Sequence, residues 1–176
     1  RYFGLKGVDY SLQIYKKLKK RYDVELVLAG GSPKDPFYND AKEAVAIVTD
    51  HRLDRDTELP FYYSAADVYL LPKLDSRASY SYGVDTAIVE CLACGTPVVS
   101  TMLQHFENLN DVKHIGMIPQ SVDHAISCID YVVKNPGKFN NCREIAKKYY
   151  DWPVIINFLI NEYDNLFDKY YPEVIE

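Results

Sequence analysis

A single acid, Glu90, stands inside the apolar run Ile88-Val89-Glu90-Cys91-Leu92-Ala93. An ionised carboxylate in such surroundings is costly unless a ligand or a base satisfies it, so binding chemistry is the first thing to ask of this residue. The run ends at Cys94-Gly95-Thr96-Pro97, and Val98-Val99-Ser100 follows. Gly95 can take the left-handed turn that closes a helix, and Pro97 blocks its continuation. The valines then open a β-branched strand. Glu90 therefore rides a short helix just ahead of a buried strand. Two cations, Arg1 and Lys6, stand before and at the start of the first helical segment. A helix N-terminus carries about +0.5 of effective charge in its N–H groups, so cations beside it suit an anion, although taken alone Arg1 reads as a terminal residue and Lys6 as a surface lysine.

The elements that must position these groups alternate in type. Val8, Leu12, Tyr15 and Leu18 recur at helical spacing, which predicts an amphipathic helix over 8–21. Residues 24–29 read as a strand closed by Gly30-Gly31-Ser32-Pro33. A helix over 36–44, a strand over 44–49, a helix over 57–65 and a buried strand over 68–71 come next. After the Glu90 helix follow strands over 97–101 and 115–118, then helices over 122–134, 137–149 and 153–169. Strands alternating with helices imply a parallel sheet covered on both faces. In such α/β sheets ligands bind beside the carboxyl ends of the strands, the edge expected for Lys6.

Four segments carry a family resemblance. Residues 88–100 resemble the helix-Glu, Ala-Cys-Gly, Thr-Pro-Val-Val signature of family 4 retaining glycosyltransferases. Leu59-Pro60-Phe61-Tyr62-Tyr63-Ser64-Ala65-Ala66-Asp67-Val68-Tyr69-Leu70-Leu71-Pro72 is similar to that family's "LPxYYSAADVxxLPS" segment. Lys6-Gly7-Val8-Asp9-Tyr10 resembles its "KGVDYL" helix start, with Arg1 placed as the family's other basic residue is. Tyr150-Asp151-Trp152 is similar to the "FSW" turn before its last helix. The segments keep the family's order.

The resemblance implies an α/β fold, the Rossmann-like doubly wound parallel sheet that forms the C-terminal half of a GT-B glycosyltransferase. Residues 1–176 would form a single donor-binding domain. The strand expected to run into Arg1 and the acceptor-binding domain would lie outside the sequence, with the helix over 153–169 crossing to that domain. Arg1 and Lys6 would stabilise the leaving diphosphate, and Glu90 would accept hydrogen bonds from the ribose hydroxyls. Tyr82, Gly83, Val84, Asp85 and Thr86 would form the sugar and phosphate loop. The reaction implied is transfer of a hexose from a nucleoside diphosphate sugar to a glycan or lipid-linked acceptor, with retention and without a required metal or cofactor. The expected site is cytoplasmic, with association at the inner face of a membrane through the missing domain.

The loop departs from the family at two positions. Tyr82 stands where the pattern has an acid, and a phenol cannot supply a carboxylate's charge. Asp85 stands where it has a glycine. As an N-cap, Asp85 would occupy the N–H groups a phosphate needs; with a helix start near Ser81 it would instead turn towards a sugar hydroxyl. These departures support an alternative, a catalytically inactive nucleotide-sugar-binding or scaffold module of the same fold. A sugar-nucleotide epimerase of that fold matches the signature less well. Beyond the strand at 97–101, Glu107 keeps the acid of the family's "Gly-Gly-x-x-Glu", whereas Leu103 and Gln104 replace its glycines. His105 is read as a surface loop histidine in preference to a donor contact.

Composition narrows the classes. At 176 residues, with 48% hydrophobic and 26% charged residues, the chain suits one globular domain. A net charge of −5 argues against a nucleic-acid surface. No run approaches the roughly 20 apolar residues a membrane helix needs. Cys91 and Cys94, with Cys128 and Cys142 apart, read as packing residues in preference to a zinc site or a disulfide scaffold. The four histidines are scattered. The sixteen tyrosines read as core and boundary packing, and Trp152 as an anchor at the start of the last helix. Phe158, Leu159, Tyr163, Leu166 and Phe167 are expected to leave an apolar face uncovered.

Overall fold

The computed structural model describes residues 6–44, 46–49, 51–74, 84–106 and 111–170, without the side chains of Gln104 and His105. Helix α1 (Val8–Leu18) buries Val8, Leu12 and Tyr15 on one side and Ile14 and Leu18 on another. Strand β1 (Val27–Leu28), helix α2 (Tyr38–Glu43), strand β2 (Ile47–Val48), helix α3 (Leu59–Ala65) and strand β3 (Tyr69–Leu71) follow. Then come α4 (Thr86–Ala93), β4 (Val98–Ser100), β5 (Gly116–Met117), α5 (Val122–Lys134), α6 (Cys142–Tyr150) and α7 (Trp152–Tyr170).

Every strand pairing is parallel: β1 with β2 in one ladder, and β3, β4 and β5 in that order in another. This is the Rossmann-like α/β arrangement expected from the sequence. Alternation along the strands sends side chains to both faces. Leu71 and Val98 enter a core with Ile88, Leu92 and Cys91 of α4 and Ile145 of α6. Leu70 and Val99 enter the opposite core, against Ile14 of α1 and Ile126 and Ile129 of α5. A third cluster joins Val8, Leu12 and Tyr15 to Leu28, Ala41 and Val48, tying the two-stranded ladder to α1. The strand expected to run into Arg1 falls outside the described residues.

The carboxyl ends of β3 and β4 are stitched by hydroxyls. Ser100, fully buried, donates to the Leu71 carbonyl at 2.8 Å, and Thr101 donates to the Lys73 carbonyl at 3.0 Å. The Ser100 oxygen also accepts from the Met102 amide at 3.0 Å, closing a 3-10 helix (Thr101–Phe106) onto the strand end. Gly116 lies so close to β4 that a Cβ there would overlap the Val98 carbonyl.

Several expectations need correction. The predicted helix over 137–149 begins later, at Cys142, after a short 3-10 turn over Pro136–Lys138. Proline at the first position and Gly137 after it favour that tight turn over a full α-helix. Trp152 does not anchor: it is 72% exposed, because α7 buries no residue at all. The uncovered apolar face is present as expected, with Phe158, Leu159, Tyr163, Leu166 and Phe167 all exposed. Among the described residues no helix is long and apolar enough to cross a membrane.

Candidate functional site

Three loops meet at the carboxyl ends of the strands. Lys6 and Gly7 precede α1, Pro72 and Lys73 leave β3, and Val84 and Asp85 lead into α4. Gly7 makes the meeting possible. Its φ is 72°, and a Cβ there would overlap the Pro72 carbonyl oxygen, so only glycine allows the α1 entry to lie against the β3 exit.

Asp85 is the N-cap of α4, and its Oδ1 accepts from the Ala87 amide at 3.2 Å. This decides the open placement in favour of the cap over a helix starting near Ser81, because α4 begins at Thr86. Its other oxygen lies 2.5 Å from Lys6 Nζ and 3.8 Å from Lys73 Nζ. Val84 packs on the core beneath α4, and Thr86 is exposed at the first turn.

Glu90 lies five residues further along α4, about 7.5 Å on at 1.5 Å per residue. It is half-buried, and the base that satisfies it is Arg55, whose guanidinium donates to Oε1. The Tyr63 hydroxyl stands 3.5 Å from Oε2. Burial first, and then the Glu90 charge, push the Tyr63 phenol well above its ordinary range, so it remains a neutral donor. Arg55 owes its place to a tight turn. The Asp54 carboxylate accepts from the Thr57 hydroxyl at 2.6 Å and from the amides of Asp56 and Thr57. Those bonds, led by the Thr57 hydroxyl, hold the Asp54 carboxyl below its usual range. The Glu58 carboxylate in return accepts from the Asp54 amide at 2.7 Å.

Lys6 and Asp85 are thus brought together at the starts of α1 and α4, while Glu90 lies five residues along α4 with Arg55 and Tyr63. Arg1, Tyr82, Gly83 and Glu107 lie outside the described residues, as does the side chain of His105. Cys91 packs in the core with its thiol towards the Thr96 carbonyl, a structural place for the first cysteine of the pair. Among the described residues no three or more His, Cys, Asp or Glu side chains group as a metal would require.

Sequence reasoning missed Arg55, Tyr63 and Lys73. Lys73 had a legible signal: a charged residue just past Pro72 at the end of a strand, where sheet ligands bind. Arg55 had a weaker one, an Asp-x-x-Thr turn ahead of the helix carrying Tyr63. Pairing with Glu90 across 35 positions is not a local signal at all.

The profile of the family "Glycosyl transferases group 1" matches residues 2–135. An uncharacterized glycosyltransferase of Haemophilus influenzae is 24% identical over 139 residues, covering 76% of this chain and 38% of the relative. A second, MJ1607 of Methanocaldococcus jannaschii, is 24% identical over 170 residues, covering 90% of this chain and 41% of the relative. The chain therefore spans about two fifths of the length of these relatives.

Proposed function

Because the chain belongs to the group 1 glycosyltransferases, we propose that it is the donor-binding half of a retaining hexosyltransferase of family 4 type. The observation that carries this reading is the shared helix α4. Its first residue is capped by the Asp85 that holds Lys6, and its middle carries Glu90, paired with Arg55. A nucleoside diphosphate sugar laid along α4 would place its diphosphate at Lys6 and its ribose hydroxyls at Glu90, with Arg55 and Tyr63 orienting the carboxylate. Arg1 would join Lys6 at the phosphates. Tyr82, Gly83, Val84, Asp85 and Thr86 would form the sugar and phosphate loop.

In transfer, the bond between the anomeric carbon and the diphosphate oxygen breaks, and the acceptor hydroxyl oxygen bonds to the same face of that carbon. The acceptor proton passes to the departing phosphate, whose negative charge Lys6 offsets. Lys6 acts electrostatically, by stabilising charge that develops only as the bond breaks. With cations in that role no metal is required, and transfer by the full-length protein should persist in the presence of a chelator. The acceptor, a glycan or a lipid-linked sugar, would be held by a further domain. The exposed face of α7 suits a helix that packs on such a domain, and a lipid-linked acceptor would bring the enzyme to the cytoplasmic face of a membrane.

A second reading has its own support. Asp85 occupies an α4 amide and pairs Lys6, which suits a module that keeps the nucleotide but has lost transfer. Tyr82→Glu in the full-length protein separates the two, since it restores the acid of the family pattern. An active enzyme with a reshaped sugar pocket should lose turnover, because a new carboxylate displaces a fitted hydroxyl and brings its desolvation cost. A gain of transfer or donor hydrolysis in a protein otherwise inactive across a broad donor and acceptor screen would establish the inactive module.

A further inference from the structure

One carboxylate oxygen serves two ammonium groups at the start of α4. Lys6 and Lys73 both reach Asp85 Oδ2, but from different segments and different surroundings. The Lys6 side chain is 53% exposed, whereas that of Lys73 is 4% exposed. Lysine is seldom so buried without a charge to meet it. The position of Lys73 is built from both sides. Its amide donates to the Leu71 carbonyl at 3.2 Å, and its own carbonyl accepts from Thr101 at 3.0 Å. The strand end fixes the root of the side chain, from which its ammonium reaches the α4 N-cap. Burial pulls the Lys73 ammonium below its ordinary range, Lys6 pulls it further, and Asp85 opposes both.

Resting on the reading of this edge as the diphosphate end of a donor site, we infer that Lys73 is a second phosphate-binding cation there. Asp85 is then the carboxylate that a diphosphate displaces from both lysines. A diphosphate offers oxygens on two phosphorus atoms and can meet the two ammonium groups separately, which one oxygen of Asp85 does only by sharing. Displacement leaves the N-cap bond intact, because that bond uses the other oxygen, Oδ1. The exchange needs no movement of α4, only a short swing of two lysine termini.

Calorimetric titration of the full-length protein with inorganic pyrophosphate, with uridine, adenosine and guanosine diphosphates, and with the corresponding nucleosides tests this. Lys73→Met keeps the buried stem and removes the charge. It should weaken pyrophosphate and nucleoside diphosphate binding about tenfold or more, the loss expected of a charge-assisted bond, and leave nucleoside binding unmoved. Asp85→Asn keeps an N-cap acceptor but no longer competes for the lysines. It should lower the melting temperature while tightening pyrophosphate severalfold, and a purely structural counterion would not give opposite signs. Should Lys73→Met fail to fold, the sign of the Asp85→Asn effect decides alone. Unchanged affinity in Lys73→Met, or weakened pyrophosphate binding in Asp85→Asn, overturns the inference while wild-type nucleoside diphosphate binding keeps the donor-site reading. A wild-type protein that binds no nucleoside diphosphate overturns both.

Discussion

The two ladders of this fold are built to different standards. The β3–β4–β5 half is closed on both faces, and Val98, Val99, Ile88, Leu92 and Ile115 expose nothing. Its strand ends are tied by Ser100 and Thr101, and Gly116 lets β5 press against the β4 backbone. The β1–β2 half has two-residue strands, and Val27 and Ile47 are 43% and 50% exposed. The groups proposed to meet a phosphate and a ribose, Lys73 and Glu90, and the Asp85 that pairs the lysine, all root in the closed half. A charged ligand demands fixed partners, and fixed partners come from packed, fully bonded strand ends. Among the described residues, Lys6 and Arg55 come from elsewhere, and the backbone of each is pinned, by Gly7 against Pro72 and by the Asp54 turn.

The seam between the halves should be the most fragile point. Gly7→Ala meets both a left-handed backbone and the Pro72 carbonyl, and should cost about 2–4 kcal/mol of stability in urea unfolding. It should also weaken phosphate binding, since the α1 entry carries Lys6. A smaller effect, and a direct test of the contrast, comes from a matched pair of truncations. Val99→Ala in the closed half should cost about 2 kcal/mol, from lost transfer energy and a residual cavity. Ile47→Ala in the open half should cost under about 1 kcal/mol, because half of that side chain already meets water. Equal losses in the two variants would remove the distinction between the halves.

Much of the layout is legible in the residues, and the limits have physical causes. Gly95 and Pro97 mark the end of α4, and Gly95 indeed takes φ 90°. The 122–134 periodicity gives α5 to the residue, because Ser121 caps it through the His124 amide and its apolar face is unbroken. The short strands are shorter than their β-branched runs, since hydrogen-bonded pairing, which sequence does not encode locally, sets their length. Trp152 misleads because an aromatic beside a turn resembles an anchor whether or not a partner surface exists. Lys6 and Glu90 carry family spacing and so stand out in the sequence. Arg55 and Tyr63 meet Glu90 only through the packing of α3 against α4, a tertiary contact beyond any local pattern.

The central claim is that α4 lines a nucleoside diphosphate site, with Glu90 as its ribose acceptor. Calorimetry of the full-length protein and of its Glu90→Ala variant measures this most directly. Removing Glu90 leaves Arg55 in solvent at little cost, so the protein should stay folded. Nucleoside diphosphate affinity should fall by about 1.5–3 kcal/mol, the range for hydrogen bonds to a charged group, while pyrophosphate affinity holds. Equal nucleoside diphosphate affinity in the two proteins would contradict the account and leave Glu90 as the ion-pair partner of Arg55 alone.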